Sequence, residues 1–263
     1  MNIAVIVSTY NRPNALKKVL DGLLFQTCFP DEIIIADDGS NDDTKEMLKD
    51  YLRNKDVRFK HVRHADEGFR LARIRNKAVL QSSSDYLVFM DGDCIPEKHF
   101  VEDHLCLAQK GFFFQGKRVI VNQKGTKDFT FQDTASFFSL LKHATASTIS
   151  NSHHIIRLPF FPSYTTSKLS GIRGCNMGFF KEDLLSVNGF NQEFKGWGRE
   201  DSEIVVRLYK LGLKRKEHPF RAICYHLWHK ENTRNTIDQN DQILDKAINS
   251  DSYYCKIGIK NNE

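Results

Sequence analysis

No stretch of this 263-residue chain approaches a membrane-spanning length of uninterrupted apolar residues. The opening Met1-Asn2-Ile3-Ala4-Val5-Ile6-Val7 lacks the basic flank and length of a signal peptide, so the expected location is the cytoplasm. Six cysteines, at 28, 94, 106, 175, 224 and 255, lack the short paired spacings of a zinc site or a secreted disulfide framework, and reduced thiols are the simplest reading. Low-complexity tracts and repeats are absent, and 40% hydrophobic residues argue against disorder or a solenoid. Neither an RNP-type aromatic motif nor zinc-finger spacing occurs, so nucleic acid is not an expected partner. The excess of one charge is slight. A formal +5 is compatible with an anionic substrate or with weak, peripheral attraction to acidic lipid headgroups at the inner face of a membrane.

What is present is an alternation of short apolar runs with longer amphipathic ones, the pattern of an α/β sheet. Ile3 to Ser8 reads as a first strand, and Pro13 opens a helix to about Phe25 whose apolar face is Leu16, Val19, Leu20, Leu23 and Leu24. Strands over Glu32–Ala36 and Val57–Val62 are each followed by a helix, the second at Leu71–Leu80, before the run Tyr86–Met90. Further on, Phe112–Val121 looks like one strand and Phe129 to about Ala144 like one helix. Residues 145–170, rich in Ser, Thr, His and Pro, read as a long loop. A helix from Glu200 or Asp201 to Leu211, a strand over Ala222–Leu227 and a tail helix over Thr236–Ile248 complete the reading.

Asp91-Gly92-Asp93 places two carboxylates where the Tyr86–Met90 strand ends. Mg²⁺ and Mn²⁺ prefer such oxygens and leave positions open for substrate phosphates, although Asp-Gly is also turn chemistry. Thr9-Tyr10-Asn11-Arg12 and Asp37-Asp38-Gly39-Ser40 emerge at the same sheet edge, where open α/β sheets bind ligands. Arg70, Arg73 and Arg75 suit a diphosphate, though their offsets let only one or two face it. In Gly196-Trp197-Gly198-Arg199-Glu200-Asp201, glycines free a flat ring to stack on a sugar, and the following acids sit at a helix start where one can take a proton. His226 and His229 both offer imidazole to a metal. On an extended segment they point to opposite faces, so one is expected at a single site.

Taken together, these motifs resemble glycosyltransferase family 2, inverting nucleotide-sugar transferases of the GT-A fold. The amino-terminal likeness runs through Ser8–Arg12, Ala36–Ser40, Ala72-Arg73-Ile74-Arg75-Asn76 and Asp91-Gly92-Asp93. The later part, through GCNMGFF, GWGRED and His226, Lys230 and Asn232, is similar to the carboxy-terminal domain of galactosyltransferases and chondroitin-type polymerases. The resemblance implies a mainly parallel mixed sheet flanked by helices. It divides the chain into a donor-binding half over 1–125, an acceptor-binding and catalytic half over 126–232, and a helical tail over 233–263. It places Thr9, Tyr10, Arg12, Asp37 and Asp38 around the nucleotide, and Arg75 and Asp91 near the diphosphate. Asp93, Asp91 and His226 would hold Mn²⁺ or Mg²⁺, with His226 preferred over His229 because Lys230 and Asn232 follow it at matching offsets. Trp197, Glu200 and Asn176 would contact sugar or acceptor, and Asp201 would be the base. Arg199 departs from the glycine that galactosyltransferases often have there.

The implied activity is transfer from a UDP-sugar to a hydroxyl of a glycan or lipid-linked glycan, in the setting of bacterial surface polysaccharide synthesis. A sugar-nucleotide pyrophosphorylase would need a Gly-rich, Arg-containing loop that Thr9–Arg12 does not supply, and an aspartyl-nucleophile phosphatase would not have Cys94-Ile95 after the acidic pair. A non-catalytic carbohydrate-binding relative is the rival from another class.

Overall fold

All seven residues of β1 (Ile3–Thr9) are buried, because helices cover both faces of the sheet that contains it. In the computed structural model, which describes residues 1–230 and 233–261, the side chains of β1 alternate between two cores. Val5 and Val7 pack with Leu16, Val19, Leu20 and Leu23 of α1 (Pro13–Leu23). Ala4 and Ile6 pack with Ala72, Ile74, Ala78 and Val79 of α3 (Leu71–Gln81). Pro13 starts α1 where its missing N–H costs nothing.

β2 (Glu32–Asp37) lies parallel to β1 on one side, followed by α2 (Asp42–Leu52) and β3 (Arg58–Arg63), while β4 (Tyr86–Asp91) lies parallel on the other side. The strand order therefore reverses at β1. That topological switch opens a crevice at the carboxyl ends of β1 and β4.

The chain continues through β5 (Cys94–Pro96), α4 (Phe100–Leu107), β6 (Phe112–Gln115), β7 (Lys117–Val121), α5 (Gln123–Thr126), α6 (Phe131–Ala135) and α7 (Phe137–Thr145). Then come β8 (Ile149–Ser150), β9 (Tyr164–Thr166), β10 (Asn176–Phe180), α8 (Lys181–Ser186), α9 (Glu200–Lys210), β11 (Lys214–Glu217), β12 (Ile223–His226) and α10 (Ile237–Asn249). The main sheet has the order β3-β2-β1-β4-β10-β6-β11-β9, with β10 and β9 antiparallel to their neighbours. A smaller sheet, β5-β12-β7-β8, stands beside it. The sheet is thus mixed and mainly parallel in its first half, as the sequence implies. No helix of the described residues is long and apolar enough to cross a membrane.

Three sequence expectations need correction. Phe112–Val121 is not one strand, because the chain passes from the main sheet to the smaller one at Gly116. A Cβ there would lie 2.2 Å from Asn176 Nδ2, so the crossing requires glycine. The helix expected over Phe129–Ala144 breaks at Ser136, whose extended backbone (φ −116°, ψ 112°) ends α6 and whose hydroxyl accepts from Ser139 N at 3.3 Å to start α7. Residues 145–170 are not simply a loop. They supply β8, a 3₁₀ turn over Ser152–Ile155 and the edge strand β9, segments too short to show a period.

Candidate catalytic site

The crevice holds a cleft of about 1000 Å³, lined from β1, the turn after β4, the segment before β10, the Trp197 loop and the chain after β12. The turn after β4 hugs β1. Gly92 N donates to Ser8 O at 2.7 Å, and a Cβ on Gly92 would stand 2.9 Å from that oxygen, which explains glycine between the two acids.

The two acids face different partners. Asp93 Oδ1 lies 3.6 Å from His226 Nε2, and its Oδ2 lies 3.3 Å from His229 Nε2 and accepts from Arg12 Nη1 at 2.9 Å. One ligand atom from each of Asp93, His226 and His229 fall within 4.8 Å of one another. Both histidines converge because β12 ends at His226 and the chain turns, so strand alternation does not apply to His229. The expectation of a single histidine is corrected on that ground. Burial pushes His226 below the ordinary imidazole range, with Asp93 opposing, which leaves a lone pair available near neutral pH. One carboxylate with two imidazoles fits Mn²⁺ better than Mg²⁺, which favours an all-oxygen shell. Asp91 is not in this group. Lys230 follows the pair, and Asn232 lies outside the described residues.

Asp91 instead meets Arg75. This arginine is buried to 1% and donates from Nη2 to Asp91 Oδ1 at 3.1 Å, from Nη1 to Glu200 Oε1 at 3.4 Å and from Nε to Ser8 Oγ at 3.3 Å. Its guanidinium also lies 5.4 Å from the Phe190 ring centroid. With these donors engaged, Arg75 joins α3, β4 and α9 at the wall of the cleft. Glu200 is also buried, and that burial, together with Asp201, pushes its carboxyl up to about 7, with Arg75 pulling the other way.

At the nucleotide end, Thr9, Tyr10, Arg12 and Asp38 line the cleft. Thr9 Oγ1 is buried without a hydrogen-bond partner, a free polar atom at the cleft wall. Tyr10 donates to Asp66 Oδ2 at 2.9 Å, and Asp38 accepts from Arg70 N at 2.8 Å with His64 Nε2 at 2.6 Å from its other oxygen. Asp37 does not reach the cleft. Its buried carboxylate accepts from Ser40 N at 2.7 Å and lies 2.8 Å from His61 Nε2, so it holds the turn that presents Asp38.

At the opposite wall, Gly196 (φ 70°) and Gly198 (φ 102°) lift Trp197 into a half-exposed position. Arg199 takes φ 79° as the residue capping α9, a left-handed conformation that explains why glycine suits this position. Asp201 follows in the first turn. Its Oδ2 accepts from Gly174 N at 3.0 Å and its Oδ1 from Ser202 N at 2.7 Å, which fixes the carboxylate at the cleft edge. Asn176 turns away from the cleft. It is buried to 1%, donating to Lys117 O at 3.0 Å and Ala222 O at 2.8 Å with His104 Nε2 at 3.0 Å from its oxygen, so it joins the two sheets instead of touching sugar.

Sequence reasoning missed several residues. Arg118, Arg173 and Arg234 also line the cleft, and none of them is given a role by the sequence motifs. Asn240 on α10 donates to the carbonyls of Lys195, Trp197 and Gly198 at 3.1, 3.3 and 2.9 Å, clasping the Trp197 loop. Cys94, Cys175 and Cys224, remote in sequence, gather as buried free thiols behind Asp93, with Arg118 Nη1 3.7 Å from Cys175 Sγ. Only their three-dimensional placement could reveal that cluster.

Residues 4–178 match Glycosyl transferase family 2, and residues 160–230 match the N-terminal domain of galactosyltransferase. The chain is 29% identical over 231 residues to a chondroitin synthase of Pasteurella multocida (strain Pm70), and 27% identical over 226 residues to a hyaluronan synthase of Pasteurella multocida. Each alignment covers 81% of this chain and 23% of the synthase. Identity to the validoxylamine A glucosyltransferase of Streptomyces hygroscopicus subsp. limoneus is 25%, over 80% of this chain and 48% of that protein. The chain therefore spans less than half the length of each of these relatives. Among solved structures, S. aureus TarS 1–349 in complex with UDP-GlcNAc superposes with a TM-score of 0.68 at 17% identity, covering 100% of this chain and 69% of TarS 1–349. The mannosyltransferase PcManGT from Pyrobaculum calidifontis, in complex with GDP-Man and Mn²⁺, gives 0.56 at 19% identity, covering 86% and 56%. The fold is thus the GT-A type that the sequence resemblance implies.

Proposed function

Because the chain belongs to glycosyl transferase family 2, whose match spans more than half of it, we propose that it is an inverting, metal-dependent transferase moving a sugar from a UDP-sugar to a hydroxyl of a glycan or lipid-linked glycan. The observation that carries this reading is the convergence on one cleft of a carboxylate–imidazole cluster at Asp93, His226 and His229 with an acidic helix start at Glu200 and Asp201. Support for UDP comes from similarity to proteins named as chondroitin and hyaluronan synthases and from the UDP and UDP-GlcNAc complexes of TarS. Bacterial surface polysaccharide synthesis on the cytoplasmic side of a membrane is the corresponding setting. Within it, residues 1–125 act as the donor half, 126–232 as the acceptor half, and the tail from 233 onward carries α10.

In this reading Thr9, Tyr10 and Asp38 seat the nucleoside, and Arg12, Arg118 and Arg173 bring positive charge to the diphosphate. Asp93, His226 and His229 would hold Mn²⁺, which when bound would supply Lewis-acid stabilisation of the leaving diphosphate. Trp197 stacks on the sugar and excludes water, and Glu200 accepts from a sugar hydroxyl. Asp201 removes the acceptor proton as the acceptor oxygen bonds to the anomeric carbon, and the bond from that carbon to the diphosphate breaks with its electron pair leaving on UDP. A single displacement inverts the anomeric centre.

Asp201→Asn tests the assignment of the base. Transfer to an acceptor should fall roughly 10²–10⁴-fold, with UDP-sugar binding by calorimetry kept near wild type. Near wild-type turnover in that variant would remove Asp201 from the role. Glycan binding without nucleotide-sugar binding or hydrolysis in the presence of Mn²⁺ would favour the non-catalytic relative instead.

A further inference from the structure

Twenty-one large hydrophobic side chains stand exposed among the described residues, and eight of them lie between residues 137 and 164. That concentration, in about a tenth of the chain, marks a surface rather than the scattered apolar exposure normal on a protein. Phe138 on α7 is 82% exposed and Phe160 is 99% exposed. Phe160 projects from a turn closed by Phe161 N donating to Leu158 O at 3.1 Å. The two sites belong to one face. Phe137 and Arg157 share a surface cavity of about 320 Å³ with Phe220, and Phe161 meets Phe220 edge-on with ring centroids 5.0 Å apart.

The same segment is devoid of acid. Between Thr134 and Lys181 there is no Asp or Glu, against Lys142, Arg157, Lys168, Arg173 and Lys181. Carboxylates that adjoin the face from other elements are already engaged. Asp103 accepts from Arg157 and Arg221, and Asp133 from Ser139 and Thr130 N beside His143. Glu97 accepts from His99 N, Glu102 lies 2.9 Å from His99 Nδ1, and Glu217 pairs with Lys117 and Arg215. Lys142, four residues after Phe138 on α7, and Lys168, two residues after β9, are both exposed.

We infer that the face formed by α7 and the 156–164 segment seats on the surface of an anionic lipid bilayer, with Phe138 and Phe160 entering the headgroup boundary and Lys142 and Lys168 meeting lipid phosphates. Exposed aromatics beside lysines, with acids absent or neutralised, are what an anionic interface selects. A symmetric pairing of two copies through this face is disfavoured, since each basic patch would confront its own image. The inference goes beyond transfer chemistry and does not depend on it.

Flotation of the full chain with vesicles tests the inference. The wild type should float with phosphatidylcholine vesicles containing phosphatidylglycerol, much less with phosphatidylcholine alone, and less as salt rises. The double variant F138S/F160S should lose about tenfold in partitioning. K142E/K168E should abolish the preference for phosphatidylglycerol, and both variants should keep the wild-type melting temperature because all four side chains are exposed. The inference is overturned if the wild type does not float with phosphatidylglycerol vesicles, or if both variants float as it does. It is equally overturned if F138S/F160S instead dissociates a dimer seen by sedimentation velocity and vesicle binding is absent. UDP-sugar hydrolysis measured without vesicles reports on the transferase reading separately.

Discussion

Glu200 carries a pH signature. Its carboxyl is buried beside Asp201 and pushed up to about 7, even with Arg75 at 3.4 Å. Because its pKa in the folded protein is raised above the ordinary carboxyl value, the neutral acid dominates below about 7 and the carboxylate above. The carboxylate accepts from Arg75 with a charged oxygen and leaves the second oxygen to accept from a sugar hydroxyl, whereas the neutral acid weakens the first bond and turns one oxygen into a donor. Transfer efficiency, as kcat/KM, should therefore rise with pH through an inflection near 7, by about tenfold per unit on the acid side. In Glu200→Gln the level should drop and that inflection should vanish from the profile. A wild-type profile flat between pH 6 and 8, or an unchanged inflection in the variant, would assign the titration elsewhere. Arg199 illustrates the residue scale from another side, since its left-handed φ of 79° is a conformation that glycine adopts more readily than arginine.

At the scale of elements, the amino-terminal βα units are legible because β1 and β2 are fully buried, β4 is buried up to Asp91, and α1 shows one apolar face, so that period and burial agree. The motifs at their carboxyl ends were legible for the same reason: once β1, β2 and β4 are placed, topology brings their loops to one edge. What the sequence hid depends on partners distant in the chain. Asn176 sits in a motif beside the cleft, yet its amide is consumed by Lys117 and Ala222, and no periodicity reveals that. Arg75 reads as a phosphate ligand, and nothing in its own helix announces the contact with Glu200 that α9 brings. The pattern of the tail predicts α10 as a helix but not its grip on the Trp197 loop. Asn240 gives one buried amide to three carbonyls of that loop, and a Cβ on Gly196 would stand 2.2 Å from Thr236 Oγ1, so the loop is fitted closely to the start of α10. Asn240→Ala leaves those carbonyls without the donor and frees the loop. It should lower kcat and raise KM together, for about a tenfold loss in kcat/KM, or ~1.4 kcal/mol. Steady-state kinetics with donor and acceptor varied independently would check this. A change confined to thermal stability would make Asn240 a packing residue only.

On the scale of the whole molecule, the cleft exists only when both sheets are assembled. β10, from the second half of the chain, is inserted beside β4, and the smaller sheet pairs β12 with β5 directly after Asp93. A cation held by Asp93, His226 and His229 would tie the turn after β4 to the chain end after β12, so its binding free energy adds to global stability. At a hundred times its dissociation constant it should contribute about 2.7 kcal/mol, which for a chain of this length raises the melting temperature by roughly 5 °C. Mn²⁺ should do this at lower concentration than Mg²⁺, because two of the three donors are imidazole nitrogens. His226, held below the ordinary imidazole range by burial, becomes protonated on strong acidification, so the Mn²⁺ shift should shrink towards pH 5 and persist at pH 8. Thermal melts of the wild type, Asp93→Asn and the double variant H226A/H229A, with Mn²⁺ or Mg²⁺, separate the cases without any assay of turnover. The shift should disappear in both variants. If Asp93→Asn retained it, the cation would bind elsewhere, and Asp93 would serve chiefly as the partner of Arg12, 2.9 Å away.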